Sequence, residues 1–260
     1  MKWFNRLGKW CVVMSLLSML CTDVFALEQV DLEITADYNG KYVWRGQNLD
    51  DDPAFQPGFS LTYEGLTFGV WGNLETTSIN NNSGEFTEVD QYVDYSGDVP
   101  GVEGLGYSVG LIYYDFPGTT LSRTTEAYWG FSLDCLLSPS ITVYHDIDEA
   151  DGIYASAGIG HSIELDSESS VALELGASLG WGDDKYNKYY WVDSVTSLPV
   201  KDSGFNDLVL SASLPFEVGG WSVTPSVNYV KLIDGDIKDT NAYGKDDNIF
   251  YVGIGFAKGF

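Results

Sequence analysis

From Val30 onward, apolar residues occupy every second position over most of the chain, with polar or very small residues between them. That period belongs to strands whose two faces meet different surroundings, because successive side chains of a strand point to opposite sides. Val30, Leu32, Ile34, Ala36, Tyr38, Tyr42 and Trp44 share one parity, and Phe55, Pro57, Phe59, Leu61 and Tyr63 repeat the pattern. So do Leu66, Phe68 and Val70; Val89, Val93 and Tyr95; Leu105 to Tyr113; and Ala127 to Leu133, each at alternate positions. Ile141 and Val143, Ile153 to Ile163, Val171 to Trp181, Leu208 to Leu214, Trp221 to Tyr229 and Phe250 to Phe256 complete the series. The rhythm predicts an all-β fold of about twelve strands, an even number of the kind that closes a single antiparallel transmembrane β-barrel.

The opposite parity carries Asp31, Glu33, Asp37, Asp90, Asp94, Glu126 and Glu174, with serines, threonines and glycines between them. In a barrel these line the lumen. A soluble β-sandwich also alternates, with its apolar face inward, so alternation by itself leaves a periplasmic carbohydrate-binding sandwich open. Connection lengths favour the barrel, since short and long segments follow one another in succession. Glu64-Gly65, Ser96 to Glu103, Leu136 to Pro139, Leu165 to Ser169 and Pro215 to Gly220 are brief. Gln47 to Pro53, Glu75 to Thr87, Phe116 to Arg123, Ile147 to Gly152, Gly182 to Ser203 and Ile233 to Asp247 are longer, polar and often acidic. An even strand count puts both ends of the barrel on the short-turn, periplasmic side. Tyr38, Tyr42, Trp44, Tyr63, Tyr95, Tyr113, Trp129, Trp181, Trp221 and Tyr229 gather near strand ends, where amphipathic rings suit membrane interfaces.

The N-terminus changes the picture of where such a barrel is sent. Lys2, Arg6 and Lys9 precede the apolar run Cys11 to Leu20, and Val24-Phe25-Ala26 resembles a cleavage site, the layout of a secretory signal removed after residue 26. Asp23 interrupts the run before it reaches the roughly 20 apolar residues that a spanning helix needs. Leu20 stands where a lipoprotein signal would need a small residue before Cys21. Residues 27 to 260 then form the barrel domain. Their one cysteine, Cys135, excludes an internal disulfide. Taking Lys2, Arg6, Lys9 and Asp23 from 13 basic and 38 acidic residues leaves 10 and 37, a formal charge of about −27. That balance excludes nucleic-acid partners, whose phosphates need Lys and Arg, and favours cations.

Segments near both ends of the barrel domain carry family resemblances. Gly40-Lys41-Tyr42-Val43-Trp44-Arg45-Gly46-Gln47, then Asp51-Asp52-Pro53-Ala54-Phe55-Gln56-Pro57-Gly58 and the later Gly69-Val70-Trp71-Gly72-Asn73, resemble the opening of the TorF-type porin family of proteobacteria. Its motif positions here are Tyr42, Trp44, Arg45, Gly46, Asp52, Pro53, Gln56, Pro57 and Gly58. The resemblance covers the first third of the mature chain and implies an outer-membrane barrel with a channel role and no assigned solute. The last strand, Phe250, Val252, Ile254 and Phe256 ending at Phe260, resembles the C-terminal signature that outer-membrane assembly machinery reads. Lys258 breaks its apolar series, although a lysine at the interface can snorkel.

The expected function is passive diffusion of small hydrophilic solutes, favouring cations, through a narrow pore in the outer membrane of a Gram-negative bacterium. The alternative is a non-conducting barrel for envelope structure or adhesion. Arg45, with the parity of Asp31, Glu33 and Asp37, is expected to point inward near the extracellular mouth. There Arg45 and Lys41 either face the carboxylates across a constriction or form the ion pairs that fix the first strand and its loop. Asp50-Asp51-Asp52 lacks calcium-loop spacing, so it is expected to be a solvated acidic run, with loosely held divalent cations as the alternative. His145 and His161 fall at opposite ends of neighbouring strands, too far apart to share a metal ion, and no nucleophile and orienting group can be placed beside His145. Neither a catalytic activity, nor a metal centre, nor a cofactor is expected.

Overall fold

The computed structural model describes residues 30–78, 83–166 and 171–260. The expected secretory leader, residues 1 to 26, and residues 167–169 of the expected short turn lie outside the described residues. Twelve strands close into one antiparallel barrel: β1 (Asp31–Asn39), β4 (Ala54–Tyr63), β5 (Leu66–Glu75), β6 (Phe86–Asp98), β7 (Leu105–Asp115), β8 (Thr124–Leu133), β9 (Ser140–Asp146), β10 (Ile153–Asp166), β11 (Val171–Gly182), β12 (Gly204–Ser213), β14 (Trp221–Leu232) and β15 (Asn248–Gly259). Each pairs with its sequence neighbours in the wall, and β1 closes the ring on β15, with Tyr38 opposite Ile254 and Glu33 opposite Gly259. Backbone bonds between Leu32 and Phe260 seal that seam at its end. Three short strands stand outside this ring of twelve. β2 (Tyr42–Trp44) and β3 (Gln47–Asp50) pair only with each other, and β13 (Phe216–Val218) extends the β12 side of the wall along β14.

Burial fixes which face is which. Phe68, Leu111, Trp129, Val252 and Phe250 are between 44% and 61% exposed on the outer face. In contrast, Gln56, Asn73, Glu88, Glu126, Asp146 and Asp207 are buried on the inner face. A hydrated sandwich has the reverse arrangement, so the soluble carbohydrate-binding reading is overturned: the apolar side faces outward all round a closed wall. Among the described residues no helix is long and apolar enough to cross a membrane.

The short turns sit at one end. Glu64-Gly65 and Gly219-Gly220 both take positive φ at two successive residues, the geometry whose twist matches paired strands. At the other end lie the long connections, two of which hold helices, α1 (Asp184–Tyr190) and α2 (Gly235–Thr240). Asp183 caps α1 by accepting from the Tyr186 amide at 2.7 Å, and Asp234 caps α2 by accepting from the amides of Asp236 and Ile237. The two connections share a small apolar core of Trp191, Val200, Leu232 and Ile237.

Glycine on the inner face makes room for rings that lie flat against the wall. Tyr92 lies over Gly69 and Tyr128 over Gly110, so that a Cβ at either glycine would overlap the ring. Gly69→Val is expected to cost about 1–3 kcal/mol through this overpacking. Heat-modifiable gel mobility should register it as a lower unfolding temperature, with part of the loss recovered by Tyr92→Ala on the same background.

Candidate functional site

The first long connection, residues 40–53, does not stay outside the barrel. The alternation through Tyr42 and Trp44 predicts a first strand that runs on to Trp44, but β1 ends at Asn39 and the chain turns inward. The amide of Gly40 still bonds to the Val252 carbonyl at 2.8 Å, after which β2 and β3 form a separate hairpin. Its two-residue turn is Arg45-Gly46, with φ of 49° and 81°. Arg45 therefore reaches the lumen from a hairpin tip rather than from a wall strand. Gly46 is needed twice over, since a Cβ there would also press on Asp207 and Leu232. Tyr42 and Trp44 are correspondingly lumen groups and not interface rings, while Trp129 lies at mid-strand.

Arg45 forms two parallel bonds to Glu126 of β8, at 2.6 and 2.7 Å, in the bidentate geometry that suits a guanidinium and a carboxylate. The side chains are 8% and 1% exposed, so each charge depends on the other for compensation. The Tyr114 hydroxyl donates a third bond to Glu126 at 2.7 Å. Aromatic faces enclose the cation: the Arg45 Cζ lies 4.2 Å from the Tyr144 ring centroid, 4.7 Å from Tyr154 and 4.3 Å from Trp44 of its own hairpin. Burial disfavours the charge on Arg45, but the Glu126 carboxylate, Tyr114 and Tyr186 together outweigh this and raise the guanidinium pKa well above its ordinary range.

The remaining contacts tie the hairpin across the lumen. Tyr42 donates to Glu88 of β6 at 2.9 Å, and the Trp44 ring meets Tyr114 edge-on at 6.0 Å and Tyr190 of α1 at 5.5 Å. Gln47 donates to the hydroxyl of Tyr186 at 3.1 Å. Tyr186, fully buried, stacks at 5.3 Å on Tyr154, and burial raises its hydroxyl pKa. Tyr154 in turn donates to Asp207 at 2.9 Å. A β-bulge opposite Gly180 and Trp181 turns both Asn206 and Asp207 inward, and Asn206 donates to Asn187 of α1 at 2.9 Å. Below the hairpin runs a polar relay in which Asn39 donates to Gln56, Gln56 to Asn73 and Asn73 to Thr87, at 2.9 to 3.0 Å. Gln56 sits beside Pro57, where the β4–β5 ladder is interrupted because proline has no N–H to donate.

The other expected site residues separate into groups. Asp31, Glu33, Asp94 and Glu174 lie on the inner face in the short-turn half and Asp37 nearer the mouth, opposite Gln56, all of them exposed or half-buried, with Asp94 accepting from Tyr128 and Glu174 from Ser162. Asp90 faces inward near Glu88, half-buried. Lys41 does not join the lumen carboxylates: it pairs with Asp51 in the loop, because the chain has already left the wall at Gly40. Gly58 lies under Thr35 and Trp71, where no larger residue fits. In the acidic run, Asp50 accepts from the Asp52 amide, Asp51 from Lys41 and Asn48, and Asp52 from Thr77, so all three take protein donors. Pro53, at the end of that run, accepts from Thr76 through its carbonyl. Among the described residues no cluster of three His, Cys, Asp or Glu could hold a metal ion. His161 contacts the Leu136 carbonyl in a short turn, whereas His145 faces Asp151 at the opposite end. Lys185, and to a lesser degree His145, hold the exposed Asp151 carboxyl below its usual range. Glu88, Tyr114, Tyr144, Tyr154, Tyr186, Asn187, Asn206 and Asp207 belong to the site without any motif to announce them and are not among the expected site residues; the inward parity of Glu88, Tyr114, Tyr144, Tyr154 and Asp207 is the one signal that could have found them.

A closed twelve-stranded barrel with an apolar exterior, a polar lumen and a loop folded into one mouth defines the class of this protein. Within it the chain belongs to the family described as bacterial protein of unknown function (Gcw_chp), whose profile matches residues 30–245. No curated protein matches it in sequence. Solved structures similar to it include the NanC porin (12% identity, 87% of this chain and 97% of that one, TM-score 0.47). LpxR from Salmonella typhimurium is similar at 10% identity, covering 88% of this chain and 99% of that one, with a TM-score of 0.46. An outer membrane channel from Pseudomonas putida F1 is similar at 10% identity, with 89% and 95% covered and a TM-score of 0.47.

Proposed function

We propose that the protein is a porin-like channel of a Gram-negative outer membrane that passes small hydrophilic solutes, favours cations, and has its extracellular mouth closed by the first long loop. The observation that carries this reading is the sign of the wall. Lys231 and Lys258 are the basic residues of the twelve wall strands, and both have the outward parity. The inward parity holds Asp31, Glu33, Asp37, Glu88, Asp90, Asp94, Glu126, Glu174 and Asp207. A low-dielectric wall with one sign of charge concentrates ions of the other sign. The long loops would face outward and the short turns the periplasm, the usual layout of such barrels. Lys258, 5.6 Å from the Trp221 ring and 5.0 Å from Phe260, would anchor the rim at the interface beside the terminal aromatic that assembly machinery reads. The likeness of the Tyr42 to Gly58 segment to TorF-type porins agrees with this reading. A second reading, a non-conducting envelope barrel, is favoured by the burial of the inward side chains in the mouth half.

Planar-bilayer recording separates the two. A variant with residues 41–51 replaced by a glycine-serine linker is expected to conduct more than the wild type, with a reversal potential in a KCl gradient that reports potassium over chloride. Neutralising Asp31, Glu33, Asp37, Asp94 and Glu174 together to their amides should move that potential toward zero. A loop-replaced barrel that refolds yet stays silent would leave the non-conducting reading, and anion preference would overturn the cation reading.

A further inference from the structure

Arg45 is held like a ligand in a site that the wall builds without it. Glu126, Tyr114, Tyr144 and Tyr154 come from four consecutive wall strands, β8, β7, β9 and β10, whose ladders fix them whether or not the hairpin is present. Tyr114 orients one Glu126 oxygen, and Asp207 anchors the Tyr154 hydroxyl. The wall thus offers a carboxylate edge to a planar fork and two ring faces to its delocalised charge. A compact ammonium matches this poorly: it cannot bridge both oxygens and gives up more hydration on entry. Of the other two faces, Trp44 arrives and leaves with Arg45, and Tyr186 of α1, its ring centroid 6.0 Å from the Arg45 Cζ, closes the cage from the loop side.

We infer that this wall cluster is a recognition site for organic cations bearing a guanidinium group, and that Arg45 is its tethered occupant. A free guanidinium compound competes with Arg45, and its binding releases the β2–β3 hairpin. The inference deepens the channel reading above, on which it rests for access along the lumen, by naming the class of cation that the constriction selects.

The test uses refolded full barrel in detergent, methylguanidinium as probe, urea as its neutral isostere and methylammonium as the compact cation. Arg45→Ala vacates the site; its unfolding temperature on heat-modifiable gels should rise saturably with methylguanidinium, need about tenfold more methylammonium, and ignore urea. Arg45→Ala combined with Glu126→Gln should not respond. In the wild type, methylguanidinium but not urea should speed chymotryptic cleavage after Trp44, as the hairpin leaves its cage. Equal responses with and without Glu126, or no gain in Trp44 cleavage, would overturn the inference. If Arg45→Ala does not refold, the wild-type cleavage decides. Both readings are made without a bilayer, so a conducting, cation-selective barrel that fails them rejects the guanidinium site alone, and a silent barrel that passes them rejects the channel alone.

Discussion

Arg45→Ala is expected to shift the hairpin from closed to open without dismantling the barrel. In the closed state the substitution strands the Glu126 carboxylate, 1% exposed, with a tyrosine hydroxyl as its remaining partner. Removing one member of a buried ion pair costs about 3–5 kcal/mol, chiefly because the other charge is left uncompensated. In the open state water reaches Glu126, so the cost falls on closure alone. The closed-to-open ratio should then drop by about two to four orders of magnitude. Channel current should rise and Trp44 should become a chymotrypsin site, while the wall strands keep their heat-resistant gel mobility. The paired replacement Arg45→Met with Glu126→Met should close nearly as well as the wild type, since it removes both charges and fills the space. Closure that survives Arg45→Ala at wild-type level would show that other contacts hold the hairpin.

Tyr186→Ala should free a different element. Tyr186 is fully buried where α1, the hairpin and the wall meet, with ring contacts to Tyr154 at 5.3 Å and Tyr190 at 4.6 Å and a hydroxyl that accepts from Gln47. Deleting so large a buried ring costs about 3–5 kcal/mol when the surroundings cannot collapse into the space. The loss should appear as faster tryptic cleavage at Lys185, Lys188 or Lys201 in the folded barrel than in the wild type, where these exposed lysines sit on a segment that the buried Tyr186 ring holds in place. Tyr186→Phe keeps the ring and removes one hydrogen bond, so it should cost only about 1 kcal/mol and leave cleavage near the wild-type rate. Equal sensitivity of the two variants would mean that the hydroxyl, not the packing, holds α1 in place.

How much of this was legible beforehand depends on the kind of interaction. Period two from Leu32 to Tyr38 and from Phe250 to Phe256 marks the outer face, because burial in a wall one strand thick is a property of single positions. The same parity places Asp31, Asp94, Glu126 and Glu174 inside, where they are found. It misleads at Tyr42 and Trp44, whose apolar alternation continues past the point where the strand has ended. Those rings alternate because a two-stranded hairpin shares the period of the wall, and their surroundings are lumen tyrosines instead of an interface. Of the two arrangements open for Lys41, the pairing with Asp51 within the first loop is the one found.

Sequence by itself therefore determined the barrel: strand number, the alternation of short and long connections, the apolar exterior and the negative lumen. Each follows from local periodicity and composition, which act within a strand or between adjacent ones. Only the tertiary structure decided that the first long loop turns inward and that Arg45 meets Glu126, 81 residues away. It alone assembled the cage from Tyr114, Tyr144, Tyr154 and Tyr186. Such contacts run across the lumen between elements remote in the chain, and their partners are chosen by the curvature of the closed wall, which no repeat along the sequence encodes.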